Sequence, residues 1–322
     1  MVPLRIALYW PSRPLTANVE RGLPGDGVWP ALVREAGDPA RRESSQLARL
    51  LLDLCEAEVP LGPEEELELD GLLRRLREGE ARGGVVLSPV DALSFWVMKR
   101  RAGEVGERFG REYLGALFAE IAGEVPRLHL IGHSFGAKLL ASAVLGGARP
   151  GSLTLLLAAF SAFAFAPEVP GVGRPGFYHR ILAERRVAGP IVALRSIHDR
   201  ALSTLYPAIT GSGQVDRRHA RGPGRHGNVR EVVARSAMGA AGARGVGAPE
   251  VDLLEVQRIG LPRRPVINVD GSRVVSANEW VVGAHRDIYH PEIATLVLLA
   301  AGLLQGDPDG ARPRPLTAVS PS

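Results

Sequence analysis

"RLHLIGHSFGAKLL" occupies residues 127–140 and contains Gly132-His133-Ser134-Phe135-Gly136. With 38 glycines in 322 residues, a single Gly-x-Ser-x-Gly has little weight by itself. Its surroundings decide its meaning. Leu128, Leu130 and Ile131 form a short apolar run suited to a buried strand. Ala137, Leu139, Leu140, Ala143, Val144 and Leu145 recur at helical spacing, and Gly146, Gly147 and Pro150 close the segment. Strand, Gly-x-Ser-x-Gly and helix, in that order, are what a nucleophile elbow requires. There a serine takes a strained backbone conformation on a turn whose strand and helix pass so close that the neighbours must be small. Ser134 is the candidate nucleophile, with Gly132, His133 and Gly136 completing the elbow.

A serine hydroxyl is a weak nucleophile near neutrality. It needs an imidazole to take its proton and a carboxylate to orient that imidazole. After an elbow the expected chain order is Ser, then Asp or Glu, then His, each partner lying just past the end of a strand. Asp199 fits the acid, since it follows the apolar run "PIVALRS" at 190–196. It also precedes "RALSTLY" and so fits a helix cap; one residue can do both. Two bases are available in "GAHRDIYHPEIATLV": His285 in the loop, and His290, which stands immediately before Pro291 and fits a cap position. Distance from the helix favours His285. Of the other histidines, His129 is expected to be packed, His133 to point away from Ser134, and His198 to stand beside the acid. The Phe135 N–H, following the nucleophile, supplies one oxyanion donor.

Along the rest of the chain, strands are expected at 4–9, 152–158, 190–196, 253–259 and 265–269, with a turn at Asp270-Gly271. Helices are expected at 43–58, 64–78, 89–106, 108–122 and 291–304, the third and last opening on proline. Residues 208–249, rich in Gly, Arg and Ala, read as an irregular, lid-like excursion. Residues 306–322 read as a flexible tail. Helices alternating with buried strands indicate an α/β fold with a mainly parallel sheet in a single domain spanning 1–322.

Composition narrows the function classes. Residues 45% hydrophobic supply a core, but no apolar run reaches the roughly 18 residues of a membrane span. The N-terminus shows no signal-peptide pattern, so a cytoplasmic location is expected. Cys55 is the one cysteine; it sits in an apolar helical pattern and reads as core, and neither an internal disulfide nor a thiolate metal cluster is expected. Of 39 basic residues only Lys99 and Lys138 are lysine, and the net charge is +4. The basic run at 216–230 reads as a solvated loop, and no zinc-finger or RNA-binding motif accompanies it, so no nucleic-acid partner is expected. No cofactor and no metal are expected.

Five stretches together, "LYWPS" (8–12), "SFWVMKRRAGEVG" (94–106), "LHLIGHSFGAKLL" (128–140), "GPIVALRSIHDRALSTLYP" (189–207) and "GAHRDIYHPEIA" (283–294), resemble a group of bacterial α/β-hydrolase-fold serine hydrolases. The resemblance spans most of the chain and is weakest at 15–85 and 210–250. It implies an α/β-hydrolase fold with Ser134 as nucleophile, Asp199 as acid and His285 rather than His290 as base. It implies a small-molecule acyl substrate: an ester, thioester or amide. The apolar stretch "AAFSAFAFAP" (158–167) suggests an acyl-accepting wall and favours carboxylic esters. In such proteins a His-Gly loop ahead of the "WPS" strand gives the second oxyanion donor, and no His-Gly precedes residue 132 here. Either Trp10, Pro11 and Ser12 supply that donor, the natural chain starts further upstream, or the donor is missing. The last case implies a non-catalytic binding or scaffold protein.

Overall fold

A computed structural model describes residues 62–63, 65, 89–114, 128–209, 236–279, 282–305 and 314–315. The expected strand at 4–9 and helix at 43–58 with Cys55 lie outside the described residues, and of the expected helix at 64–78 only Glu65, which is helical, is described.

Five strands, β1 (His129–His133), β2 (Ser152–Leu156), β3 (Ile191–Arg195), β4 (Glu250–Asp252) and β5 (Val266–Asp270), form one sheet in the order β1-β2-β3-β5-β4. Every pairing is parallel. All of β2 and most of β3 are buried, as expected of strands covered on both faces. Alternation along each strand divides the core in two. Leu153, Leu155, Ile191, Ala193 and Val266 point to one side, against Ala137, Ala141 and Val144 of helix α2 (Phe135–Leu145). Leu156, Val192, Leu194, Ile267 and Val269 point to the other, against Ile293, Leu296 and Leu299 of the last helix (Pro291–Ala300). The chain is thus an α/β protein with helices on both faces of a parallel sheet. Among the described residues, no helix is long and apolar enough to cross a membrane.

Several expected elements differ from the observed ones. Helix α1 (Pro89–Arg108) runs through Gly106 and continues as a π-helical turn (Phe109–Leu114), where two helices were expected. Gly106 and Gly110 do not break it. They are the contact points with α2: a Cβ at either position would lie 2.0 Å from the carbonyl oxygen of Leu139 or Ala143. Residues 253–259, expected as a strand, form a helix (Leu253–Ile259). The Asp252 side chain accepts hydrogen bonds from the Leu254 and Glu255 N–H groups and caps it, and Leu253 and Val256 face inward one turn apart.

The last helix stops at Ala300 rather than 304. Gly302 adopts φ 67°, its N–H bonds Leu299 O, and Leu303 N–H bonds Leu298 O, a Schellman ending. Leu304–Gln305 then pairs antiparallel with Arg314–Pro315, inside the expected tail. The far end of the expected excursion at 208–249 enters the core. Met238–Ala241 forms a short helix whose Ala237 and Met238 neighbours are fully buried. Its small residues hide this from pattern reading: Gly239 packs where a Cβ would lie 2.4 Å from the Leu157 carbonyl carbon, and Gly242 adopts φ 74° beside Asn268.

Both lysines of the chain are buried here. Lys138 on α2 bonds Glu65 at 2.5 Å, and Lys99 on α1 lies 3.9 Å from the same carboxylate while donating to Tyr206 Oη at 2.9 Å. Burial raises the Glu65 pKa, but the charges of Lys138 and Lys99 and hydrogen bonds from Lys138 Nζ and Gly62 N–H outweigh it, holding the carboxyl at about 2. Its folded pKa lies below its ordinary 4.5, so its stabilisation is complete above that value and is lost as pH falls towards 2. Glu65→Gln removes the negative charge that both buried ammonium groups face and is expected to cost about 3–5 kcal/mol at pH 7 in urea unfolding. The loss should shrink when the measurement is repeated at pH 3. An unchanged stability at pH 7 would show that this carboxylate does not compensate the lysines.

Candidate functional site

Ser134 is the single residue between β1 and α2. Its backbone sits at φ 56°, ψ −121°, a region that costs a non-glycine residue on the order of 1–3 kcal/mol. Three backbone hydrogen bonds hold it there. The Ser134 N–H donates to Leu156 O at 3.0 Å, extending the β1–β2 ladder by one residue, and the Ser134 carbonyl accepts from Ala137 N–H at 3.1 Å and Ala159 N–H at 3.3 Å. Gly132 permits the sharp return: a Cβ there would lie 2.5 Å from Gly136 O and 2.7 Å from Ala137 N. Gly136 has open space where a Cβ would sit.

Asp199 follows β3 and is fully buried. Its two oxygens have different partners. Oδ1 accepts the Leu202 N–H at 3.0 Å, capping the turn that follows; Oδ2 meets His285 Nδ1 at 2.7 Å. Asp199 thus faces the following turn with one oxygen and His285 with the other. His285 stands in the loop between β5 and the last helix. Its Nε2 lies 2.9 Å from Ser134 Oγ. A carboxylate can only accept, so Nδ1 carries the proton and Nε2 offers its lone pair to the serine hydroxyl. The loop is pinned to the acid by an antiparallel bridge between Asp199 and Gly283 and by Ala284 N–H donating to His198 O. Gly283 has φ 61° and approaches so closely that a Cβ would lie 2.3 Å from His198 O.

The structure thus brings Ser134, His285 and Asp199 into one hydrogen-bonded chain and leaves His290 out of it. His290 Nε2 bonds Asp287 Oδ1 at 2.7 Å and makes no side-chain cap on the helix it precedes. Asp287 also accepts from the Ser276 and Ala277 N–H groups. Phe135 opens α2, so its N–H is one of the first four donors without a partner inside the helix. Its ring packs, tilted, against that of Phe95 with centroids 5.1 Å apart, and Phe95 in turn meets Tyr206. Trp10, Pro11 and Ser12 lie outside the described residues.

Two readings of nearby residues change. The apolar stretch at 158–167 was expected to wall a site, but its rings fill the core: Phe160 and Phe165 pack on Tyr178 at 5.2 and 5.9 Å. His133 does not simply point away. Its Nε2 lies 2.7 Å from the His285 carbonyl oxygen, and the two rings are 4.9 Å apart. Burial, and then the charge of His285, lower the His133 pKa to about 4. The sequence signals only that His133 adjoins Ser134; its carbonyl partner belongs to a distant loop. His129 meets Ser152 Oγ at the opposite end of β1, and His198 is held through its backbone. His219 and His226 lie outside the described residues. Among the described residues, no group of three His, Cys, Asp or Glu is placed to hold a metal ion.

The two glycines should respond oppositely. Gly132→Ala forces the turn open and should both destabilise the fold and displace Ser134. Gly136→Ala fills open space within a helix and should be neutral or stabilising by up to about 1 kcal/mol. Thermal melts of the two variants check this, and equal behaviour would contradict the assignment of the close contact to Gly132. No protein-family model, curated protein or solved structure matches this chain.

Proposed function

We propose that the protein is a serine hydrolase of α/β-hydrolase fold that cleaves an ester, thioester or amide through an acyl-enzyme on Ser134. The observation that carries this reading is the chain Ser134 Oγ–His285 Nε2 at 2.9 Å and His285 Nδ1–Asp199 Oδ2 at 2.7 Å, set on a strained turn at the end of a parallel strand. In this mechanism Ser134 Oγ attacks the carbonyl carbon while its proton passes to His285 Nε2. The negative charge that develops on the carbonyl oxygen faces the Phe135 N–H. The bond to the leaving group breaks as Nε2 returns the proton to it, leaving the acyl group on Ser134. Water then attacks, gives its proton to Nε2, and the carboxylic acid departs as Ser134 regains its hydrogen. Asp199 stays ionised throughout and holds the imidazole in the required tautomer. The stretch Trp10-Pro11-Ser12 is the proposed source of the second oxyanion donor, through an N–H of Trp10 or Ser12, since Pro11 has none.

The core position of Phe160 and Phe165 removes the reason for preferring one acyl class over another by pocket lining. Carboxylic esters remain the first substrates to test, because an alcohol leaves more readily than an amine.

A fluorophosphonate probe and p-nitrophenyl esters of graded chain length test the reading together. The wild-type protein should be labelled and should turn over at least one ester. Ser134→Ala and His285→Ala should each lose both activities, the double variant should be no worse than either single one, and His290→Ala should stay close to wild type. A folded wild-type protein that the probe does not label would favour a binding role for the same fold.

Asp199→Asn separates catalysis from capping. The amide oxygen can still accept the Leu202 N–H, and asparagine caps about as well as aspartate, so the melting temperature should hardly change. Turnover should fall by up to about 10⁴-fold, because an amide neither fixes the imidazole tautomer nor stabilises its cation. Near-normal turnover in Asp199→Asn would leave capping as the only role of this residue.

A further inference from the structure

We infer that His133 is a positioning residue that fastens the base-bearing loop to the nucleophile turn through a hydrogen bond to the His285 backbone; this rests on the proposed hydrolase reading. His285 lies in a loop, and a reaction that needs its Nε2 at 2.9 Å from Ser134 Oγ tolerates little loop motion. Among the ties that restrain the loop at this point, two come from equivalent places. The residue before the acid, His198, accepts the Ala284 N–H with its carbonyl at 3.0 Å. The residue before the nucleophile, His133, meets the carbonyl of the next loop residue, His285, with Nε2 at 2.7 Å. One side of His285 is thus bound to the Asp199 strand end and the other to the Ser134 strand end. The imidazole keeps its spacing from both the serine and the carboxylate because it is also joined to each of their segments behind the reacting atoms.

The chemistry of the tie is specific. A carbonyl only accepts, so His133 must carry a proton on Nε2. Its low pKa, near 4, leaves the ring neutral at working pH, so Nδ1 is unprotonated. A lysine or arginine would donate equally well but would place a fixed positive charge beside His285, opposing the step in which that imidazole becomes a cation. A neutral donor that reaches a carbonyl from a strand end, with a flat face against the base, answers both demands. The 4.9 Å separation of the rings adds contact that restrains His285 from the side.

The test compares His133→Phe, which keeps a ring and loses the donor, with His133→Gln, whose amide N–H can replace Nε2–H. Fluorophosphonate labelling is followed against probe concentration to separate affinity from the rate of bond formation. The Phe variant should label about tenfold or more slowly at saturation, with the half-saturating concentration and melting temperature unchanged. The Gln variant should recover most of the rate. A Phe variant that labels as fast as wild type overturns the proposal, and so does a Gln variant as slow as Phe, since the donor would then not matter. A second readout stands apart from activity: the proton NMR resonance of the His285 Nδ1–H shared with Asp199. It should be sharp in wild type and Gln and broadened or lost in Phe. If wild type is not labelled at all, the hydrolase reading fails. The resonance then still decides whether His133 orders the loop: loss in Phe with retention in Gln supports it, and equal spectra overturn it.

Discussion

Holding Ser134 at φ 56° is the constraint on which the rest of this structure depends. A serine prefers other backbone angles, so the surroundings must over-determine the turn. They do so from three directions. β2 fixes the Ser134 N–H through Leu156 O, the stretch after β2 holds the Ser134 carbonyl through Ala159 N–H, and α2 begins at once with Ala137 N–H on the same carbonyl. The bare Gly132 lets strand and helix come this close. The consequence is a hydroxyl that meets His285 Nε2 just past the end of β1.

The parallel sheet supplies the remaining geometry. Since every strand in it points the same way, the segments that leave β1, β3 and β5 emerge at one end, carrying Ser134, Asp199 and His285. β2 and β3, at the middle of the sheet, are buried and regular, and the strained Ser134 lies past the end of β1. The Ser134 turn, the Asp199–Gly283 bridge and the His133 tie all lie at that end of the sheet, where polar groups find one another instead of solvent. Behind them, α1 and the π-helical turn that continues it meet α2 backbone to backbone at Gly106 and Gly110, and the Lys99–Glu65–Lys138 group joins α1 and α2 through charge. Charge and close packing therefore anchor the helix whose N-terminus faces the hydroxyl.

Much of this was legible in the sequence because chain order and physical demand coincide. Buried parallel strands leave continuous apolar runs, and "PIVALRS" and "PVINV" were recognisable for that reason. A hydroxyl nucleophile needs an imidazole and a carboxylate, and Asp199 and His285 stand where strand ends should put them. Legibility failed where a residue's meaning came from something distant or from something missing. Gly106 looked like a helix break because the neighbour that explains it, Leu139, lies on another helix. Leu253–Ile259, with its aliphatic and β-branched residues, looked like a strand because the cap that makes it a helix depends on how Asp252 turns its side chain. Ala237–Ala241 looked like part of a loop because small residues have no hydrophobic period. His133 looked idle because its partner is a backbone carbonyl, which has no letter in the sequence.

The most direct measurement is a crystal structure of the protein after reaction with a fluorophosphonate. The account predicts continuous density from Ser134 Oγ to phosphorus. The phosphoryl oxygen should lie within hydrogen-bonding distance of the Phe135 N–H, and His285 should still bridge Ser134 and Asp199. An unmodified Ser134, or a phosphonate attached to a different side chain, would contradict it.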